Sequence, residues 1–310
     1  MRGWWQDLTE LVLPGECGGC GAPRAVLCGR CRAVLDRAEV RHVRPVPEPP
    51  GLPVVHAAAS YADEVRATLL AHKERGALAL AGPLGAALAG AVRAGLRGAW
   101  PAGGPRGSGC SGEPVLLVPV PSGRRAVRAR GHDPARRIAL AAAGELRRGG
   151  VPARVLGVLR QRRVVADQSG LNSRQRRDNL AGALSVVPGG AGLLGAGPVV
   201  LVDDVMTTGA SLAEAARAVR AAAHGRVVRR GPRDEPGAGL NSDAGWTAAV
   251  YGGETWESRE EQRVGSRRER TGRWPRRQGM TGVDGARGVV DVVCAAVVAA
   301  SPDSFEMNRN

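Results

Sequence analysis

Apolar residues in this chain fall into short unbroken runs separated by longer stretches of helical spacing. The sharpest run is Val-Val-Leu-Val at 199–202, with no polar residue to face solvent, as in a parallel strand buried on both sides. A second buried strand is predicted over 115–121, Val-Leu-Leu-Val-Pro-Val-Pro, and a third over 54–60. Residues 292–301 supply another, of the kind expected directly after the helix that follows 199–202. Helical spacing begins at Tyr61, with Val65, Leu69 and Leu70 on one face, and resumes from Pro83, placed at a helix start, through Leu96. It returns over 138–146. It appears again at Leu212, Ala215, Ala216, Val219 and Ala222, ending near Ala223, with Ser211 and Glu214 spaced as a capping box. The expected class is α/β, with a mostly parallel, Rossmann-like sheet.

Chemistry concentrates where the run at 199–202 ends. Asp203 and Asp204 are expected to close the strand, at the sheet edge where open α/β folds bind ligands. Thr207, Thr208, Gly209, Ala210 and Ser211 follow and open a helix, so backbone N–H groups, hydroxyls and the positive end of the helix dipole converge on a phosphate-sized turn. The paired carboxylates suit the vicinal hydroxyls of a sugar or a hydrated Mg2+. Taken alone, Asp-Asp could end any strand and Thr-Thr-Gly-Ala form any turn; a ribose 5-phosphate satisfies both halves at once.

The strand at 115–121 empties into four arginines in seven residues, Arg124, Arg125, Arg128 and Arg130. Such a run is by default a solvated loop. On the same sheet edge as a phosphate turn it also suits a pyrophosphate, because guanidinium forks bind phosphate oxygens bidentately. Residues 160–180 are long, polar and arginine-rich, as in a lid that excludes water from a reacting centre. Lys73, the sole lysine among 44 basic residues, closes the helix that starts near Tyr61, either as an exposed helix-end cation or as an anion ligand.

Cys17-Gly-Gly-Cys20 and Cys28-Gly-Arg-Cys31 are two C-x2-C pairs seven residues apart, the spacing of a closed four-thiolate zinc site, with disulfides the competing reading. A glycine inside each pair is expected to permit its tight turn. Cys110 and Cys294 stand apart and are expected to be inert, and nothing requires His42 as a ligand.

Composition refines this picture modestly. Aromatics are 3% of the chain, so the core must be built from Ala, Val and Leu. The net charge of +15 attracts any polyanion without choosing between them. Residues 226–288 hold 13 basic and 9 acidic residues, so most of the positive charge lies elsewhere. No run is expected to reach the ~18 apolar residues of a membrane span. The first residues carry Asp7 and Glu10 where a signal peptide needs an apolar core, which points to the cytoplasm, where disulfides seldom persist. The expected organisation is a zinc knuckle with a leading helix at 1–36, a Pro-rich linker at 37–53, and one domain from 54–225 plus 289–302. Residues 226–288 interrupt that domain as an insertion whose composition favours disorder.

The 199–211 run resembles the PRPP-binding motif of type I phosphoribosyltransferases. Together with the cysteine pairs, Lys73 and Gly76, the Val-Pro-Val-Pro arginine segment and the Gln168, Leu171, Arg174, Arg177, Asn179 pattern, the chain resembles the ComF-like phosphoribosyltransferase-related proteins over residues 15–225. Where those proteins carry Gly-Phe-Asn-Gln, this chain has Gly131-His132-Asp133-Pro134. The resemblance implies a type I phosphoribosyltransferase fold binding Mg2+-PRPP. The 5-phosphate would lie on Thr207–Ser211, the ribose at Asp203 and Asp204, and the pyrophosphate near Arg124, Arg125, Arg128 and Arg130, with Gln168, Arg174 and Arg177 in the lid. Phosphoribosyl would pass to a nitrogen acceptor with release of pyrophosphate. The family's tie to natural competence implies an alternative, a non-catalytic module for DNA uptake that contacts single-stranded DNA or a helicase partner.

Overall fold

A computed structural model of the chain describes residues 15–37, 39–99, 113–163, 173–229 and 292–308. Contacts divide the chain into Met1–Gly231 with Gly288–Asn310, and Pro232–Arg287; the second unit lies outside the described residues. The protein is α/β. Its main sheet has six strands, β1 (Arg41–Val43), β2 (Val55–Ser60), β3 (Val115–Pro119), β4 (Ala153–Val155), β7 (Val199–Met206) and β8 (Val292–Ala300), in the order β1-β2-β8-β7-β3-β4. All neighbours run parallel except β1, which lies antiparallel on β2. Two short strands, β5 (Leu159–Gln161) and β6 (Leu184–Val186), form a separate antiparallel pair.

Strand residues alternate between two cores, as the pleat requires. Leu117, Val200, Val202, Ala296 and Val298 face a layer built from α1 (Gly29–Arg37), α2 (Asp63–Glu74), α3 (Ala81–Ala99) and α5 (Pro134–Arg148). Leu116, Val118, Leu201, Ala295 and Val297 face the opposite layer, chiefly α8 (Ala210–Arg229) and α7 (Gly190–Leu194). With few aromatics, the core fills by close approach of small residues. At Gly85 of α3 a Cβ would stand 2.8 Å from the Ala142 nitrogen of α5. At Gly95 it would stand 2.6 Å from Cys294 Sγ in β8. Burial pushes the Cys294 thiol up to about 12, which leaves it protonated and unreactive.

Four departures from the sequence reading concern the fold. The expected linker contains β1, because Val43 is fully buried against the sheet while Arg41 stays in solvent. Leu78–Ala99 is long and apolar enough to cross a bilayer, with mean hydropathy 1.4, contrary to the expectation that no run would be. This segment is a core helix, with Leu84, Leu88 and Val92 at most 1% exposed. The helix after 199–211 runs to Arg229 rather than ending near Ala223. The expected insertion therefore begins inside that helix, and residues 230–288 lie outside the described residues. Lastly, the arginine segment folds as a seven-residue helix, α4 (Arg124–Arg130), and not as a loop, closed by Gly131 at φ +75°. Residues 292–300 do form a strand, and it pairs in parallel with 199–206.

Candidate functional site

The two acids lie where the sheet is ragged. β3 pairs with β7 only as far as Pro119 with Val202, whereas β8 follows β7 to Met206 with Ala300. Asp203 and Asp204 are therefore inside the strand and do not end it, held on the β8 side and free of β3 on the other. Each carboxylate accepts the next backbone N–H, Asp204 N to Asp203 Oδ1 at 2.9 Å and Val205 N to Asp204 Oδ1 at 2.8 Å, which fixes both side chains.

Lys73 reaches this pair from the last turn of α2. Its Nζ donates to Asp204 Oδ2 at 3.1 Å, with Asp204 almost wholly buried. The lysine is thus neither a free helix-end cation nor, in this state, an anion ligand. Burial pulls its ammonium down, but the charges of Asp204 and Asp203 outweigh that and hold it above the usual lysine value. One cation serves two carboxylates. Asp203 is held well above the usual carboxylate range, by burial first and by the Asp204 charge second, with Lys73 offsetting only part.

That imbalance gives a pH-dependent prediction. A carboxyl raised in the folded state makes a contribution that is complete below its ordinary value of 3.8 and is lost as pH rises through the folded value. Asp203→Asn retains an oxygen for Asp204 N and removes the charge. The variant is expected to melt with the wild type near pH 3.5 and about 2–4 °C above it at neutral pH, for ~1 kcal/mol gained. A gap independent of pH in thermal melts would refute this account.

Beyond Met206 the chain turns through Thr207, Thr208 and Gly209 into α8. Gly209 has φ +72°, and a Cβ there would stand 3.1 Å from Leu52 and 3.2 Å from Pro45, so only glycine fits. Its carbonyl accepts the first helical bond, from Ala213 N at 2.9 Å, which makes it the N-cap. The expected Ser211–Glu214 capping box does not form, because Ser211 already lies within the first turn. Glu214 instead accepts from Leu184 N at 3.0 Å and pairs with Arg217 at 2.7 Å, tying β6 to α8. Thr207 is exposed, Thr208 and Ser211 are half-buried, and Gly209 and Ala210 are buried, so the outer side of the turn stays open. The leading amides of α8 lack intrahelical partners, and the dipole's positive end is there.

Two arginine-bearing elements stand at the same edge. Arg124, Arg125 and Arg128 of α4 are exposed just past the end of β3. Arg130 is committed elsewhere, donating through Nε and Nη2 to Glu74 of α2 at 2.9 and 2.7 Å. The turn at 131–134 completes this junction. His132 is buried with Nε2 3.2 Å from the His72 carbonyl, and Asp133 caps α5 by accepting from Arg136 N at 3.1 Å. From the expected lid, Gln168 lies outside the described residues, and Arg174 and Arg177 of α6 (Ser173–Leu180) are exposed, Arg177 being 3.9 Å from Asp178. The residue that α6 brings to the turn is Arg176, whose Nη1 donates to Thr207 Oγ1 at 3.2 Å. It precedes the buried Leu180 by one helical step of four, a periodicity that the arginine-rich sequence hid.

The four N-terminal cysteines converge. The sulfurs of Cys17, Cys20, Cys28 and Cys31 all lie within 4.8 Å of one another, a set that can hold a metal ion. Burial opposes ionisation of Cys17, yet backbone N–H groups of Cys28, Cys20 and Gly19 bring its thiol down to about 6, toward the thiolate a metal binds. The glycines of the first pair serve packing rather than turning: a Cβ would meet Leu80 Cδ1 at 2.7 Å from Gly18 and Cys31 Sγ at 2.8 Å from Gly19. Gly29 of the second pair meets nothing. Cys17, Leu27, Cys31 and Leu35 join the same core as α2 and α3.

A scan against protein-family models finds no match, and no curated protein matches the chain.

Proposed function

We propose that this chain is a ComF-like protein of the type I phosphoribosyltransferase fold that binds Mg2+-PRPP at the carboxyl edge of its sheet. The carrying observation is the juxtaposition of two carboxylates sharing one lysine with the open turn at Thr207–Ser211. A ligand bearing a phosphate, vicinal hydroxyls and a divalent cation answers each part. The turn takes the 5-phosphate on the leading amides of α8 and the hydroxyls of Thr207, Thr208 and Ser211. Asp203 and Asp204 take the ribose hydroxyls. Bound Mg2+ supplies charge neutralisation for the pyrophosphate, and Asp203, short of a cation in the free protein, is the residue best placed to welcome that charge. Arg124, Arg125 and Arg128 stabilise the departing pyrophosphate by charge-assisted hydrogen bonds as negative charge grows on it. The reaction proposed is displacement at the anomeric carbon by a nitrogen nucleophile.

The cysteine cluster is proposed as a structural Zn2+ site, since four thiolates leave no position open for substrate. A second reading rests on the exposed arginines of α4 and α6. They would suit a nucleic-acid-binding module for DNA uptake, acting with single-stranded DNA or a helicase. Affinity for single-stranded DNA that collapses steeply with salt would favour it.

Calorimetric titration of the full chain with PRPP separates the readings. Saturable binding that requires Mg2+ is expected; no binding in either condition would remove the phosphoribosyl reading.

A further inference from the structure

His132 is wedged between the ends of two helices. Its Nε2 lies 3.2 Å from the carbonyl oxygen of His72, in the last turn of α2, and its Nδ1 lies 3.2 Å from the carbonyl oxygen of Arg130, the last residue of α4. Carbonyls at a helix end lack intrahelical donors, and the ring offers one nitrogen to each helix. A carbonyl only accepts, and a neutral imidazole has a single N–H. Both contacts are hydrogen bonds at once only when both ring nitrogens carry protons. The carbonyl ends of the two helices favour that positive charge.

A circuit closes around this junction. The carbonyl that Nε2 reaches belongs to the rigid peptide unit joining His72 to Lys73. Glu74, next in the chain, receives both bonds of the Arg130 guanidinium, at 2.9 and 2.7 Å. The Arg130 carbonyl then returns to His132 Nδ1. Lys73 thus leaves a turn pinned on either side, and its Nζ meets Asp204 Oδ2 at 3.1 Å. The His72 ring lies edge-on to His132 at 5.5 Å and needs no second proton. Its Nδ1 faces the Ala77 carbonyl at 3.3 Å, and its Nε2 is buried without a partner among the described residues. Burial, offset in part by that carbonyl, holds it below the usual histidine value. The other charged groups at the junction are Lys73 and Glu74 of α2, Arg130 of α4, Asp133 in the turn and Arg137 of α5. Glu74 neutralises Arg130, Asp133 caps α5, and Arg137 is exposed.

We infer that His132 is the positioning residue of Lys73: doubly protonated, it locks the last turn of α2 to the end of α4 and sets the lysine on Asp204. Loss of one proton breaks one of the two bonds, opens the circuit and loosens Lys73. The inference concerns the acid pair before any ligand binds, so it stands or falls apart from the phosphoribosyl reading.

The chain's only lysine makes the test direct. Full-length protein isotope-labelled at histidine nitrogen and at lysine Cε gives one lysine signal in NMR, that of Lys73, and the backbone-assigned nitrogen shifts of His132 count its protons. Two protons are expected at about pH 5.5 and one at about pH 8.5, on either side of the interval in which histidines change charge. The Lys73 signal is expected to move with the same midpoint. In His132→Gln, whose amide keeps a donor but takes no proton, that step is expected to vanish. Asp203 also acts on Lys73, so Asp203→Asn is titrated in parallel, and the step shared with His132 is expected to survive there. A ring whose protonation does not change, a lysine signal that does not follow it, or a step unchanged in His132→Gln would each overturn the inference. Should His132→Gln fail to fold, the first two outcomes still decide in the wild type.

Discussion

Cys31→Ser is expected to abolish metal binding and to lower the thermal midpoint by more than about 10 °C, and chelation of the wild type is expected to do the same reversibly. The size follows from where the cluster sits. Structural zinc is worth ~10–16 kcal/mol in small zinc-finger peptides, comparable with the whole folding free energy of a domain. Here Cys17 and Cys31 are at most 3% exposed and share their core with α2 and α3. Gly18 and Gly19 press against Leu80, Ala71 and Thr68, so loss of the metal loosens the helix that carries Lys73. Recovering even ~4 kcal/mol of coupling gives about 8–16 °C in a domain of this size. Melting curves with and without chelator, followed by addition of Zn2+, read this directly. An unchanged midpoint after complete metal removal would show that the thiols hold the fold without an ion.

Asp204→Asn is expected to eliminate Mg2+-dependent PRPP binding, with affinity reduced at least ~100-fold. The carboxylate is nearly buried, oriented by Val205 N and paired with Lys73, so it cannot be replaced by a neighbour without moving the strand. Breaking a mostly buried pair by removing one partner is destabilising. The effect on melting should nevertheless stay near ~1–2 kcal/mol, because Asp203 inherits the lysine and loses the repulsion that raised it. The two effects are therefore coupled, and the Asp203→Asn, Asp204→Asn double variant is expected to be less stable than the two single changes sum to, since it strands Lys73 alone. Retained Mg2+-dependent affinity in Asp204→Asn would move the ligand away from these acids altogether.

The strands were legible because burial on both faces leaves no room for polar residues. Val199–Val202, Val115–Val118 and even the distant 292–300 run announce themselves by composition alone. The candidate turn was legible as a motif, and the convergence of the four cysteines as a spacing. Contacts made by single long side chains were not. Nothing in Lys73-Glu74 says that adjacent residues grip different elements, Asp204 in β7 and Arg130 in α4. Glu214 looked like a capping partner because the i, i+3 spacing is the same whether the helix is capped by Ser211 or, as it is, by Gly209 two residues earlier. Arg176 was hidden among arginines that look alike in one dimension and differ only in which way the helix turns them.

β8 lies in the middle of the sheet, between β2 and β7, and follows both of them in the chain. Until β8 has been made, β2 and β7 have no partner between them. A nascent or truncated chain ending before Val292 would present two open apolar edges, the surfaces most prone to pairing with the wrong molecule. Closure of the main sheet thus waits on a strand made after all of its other strands.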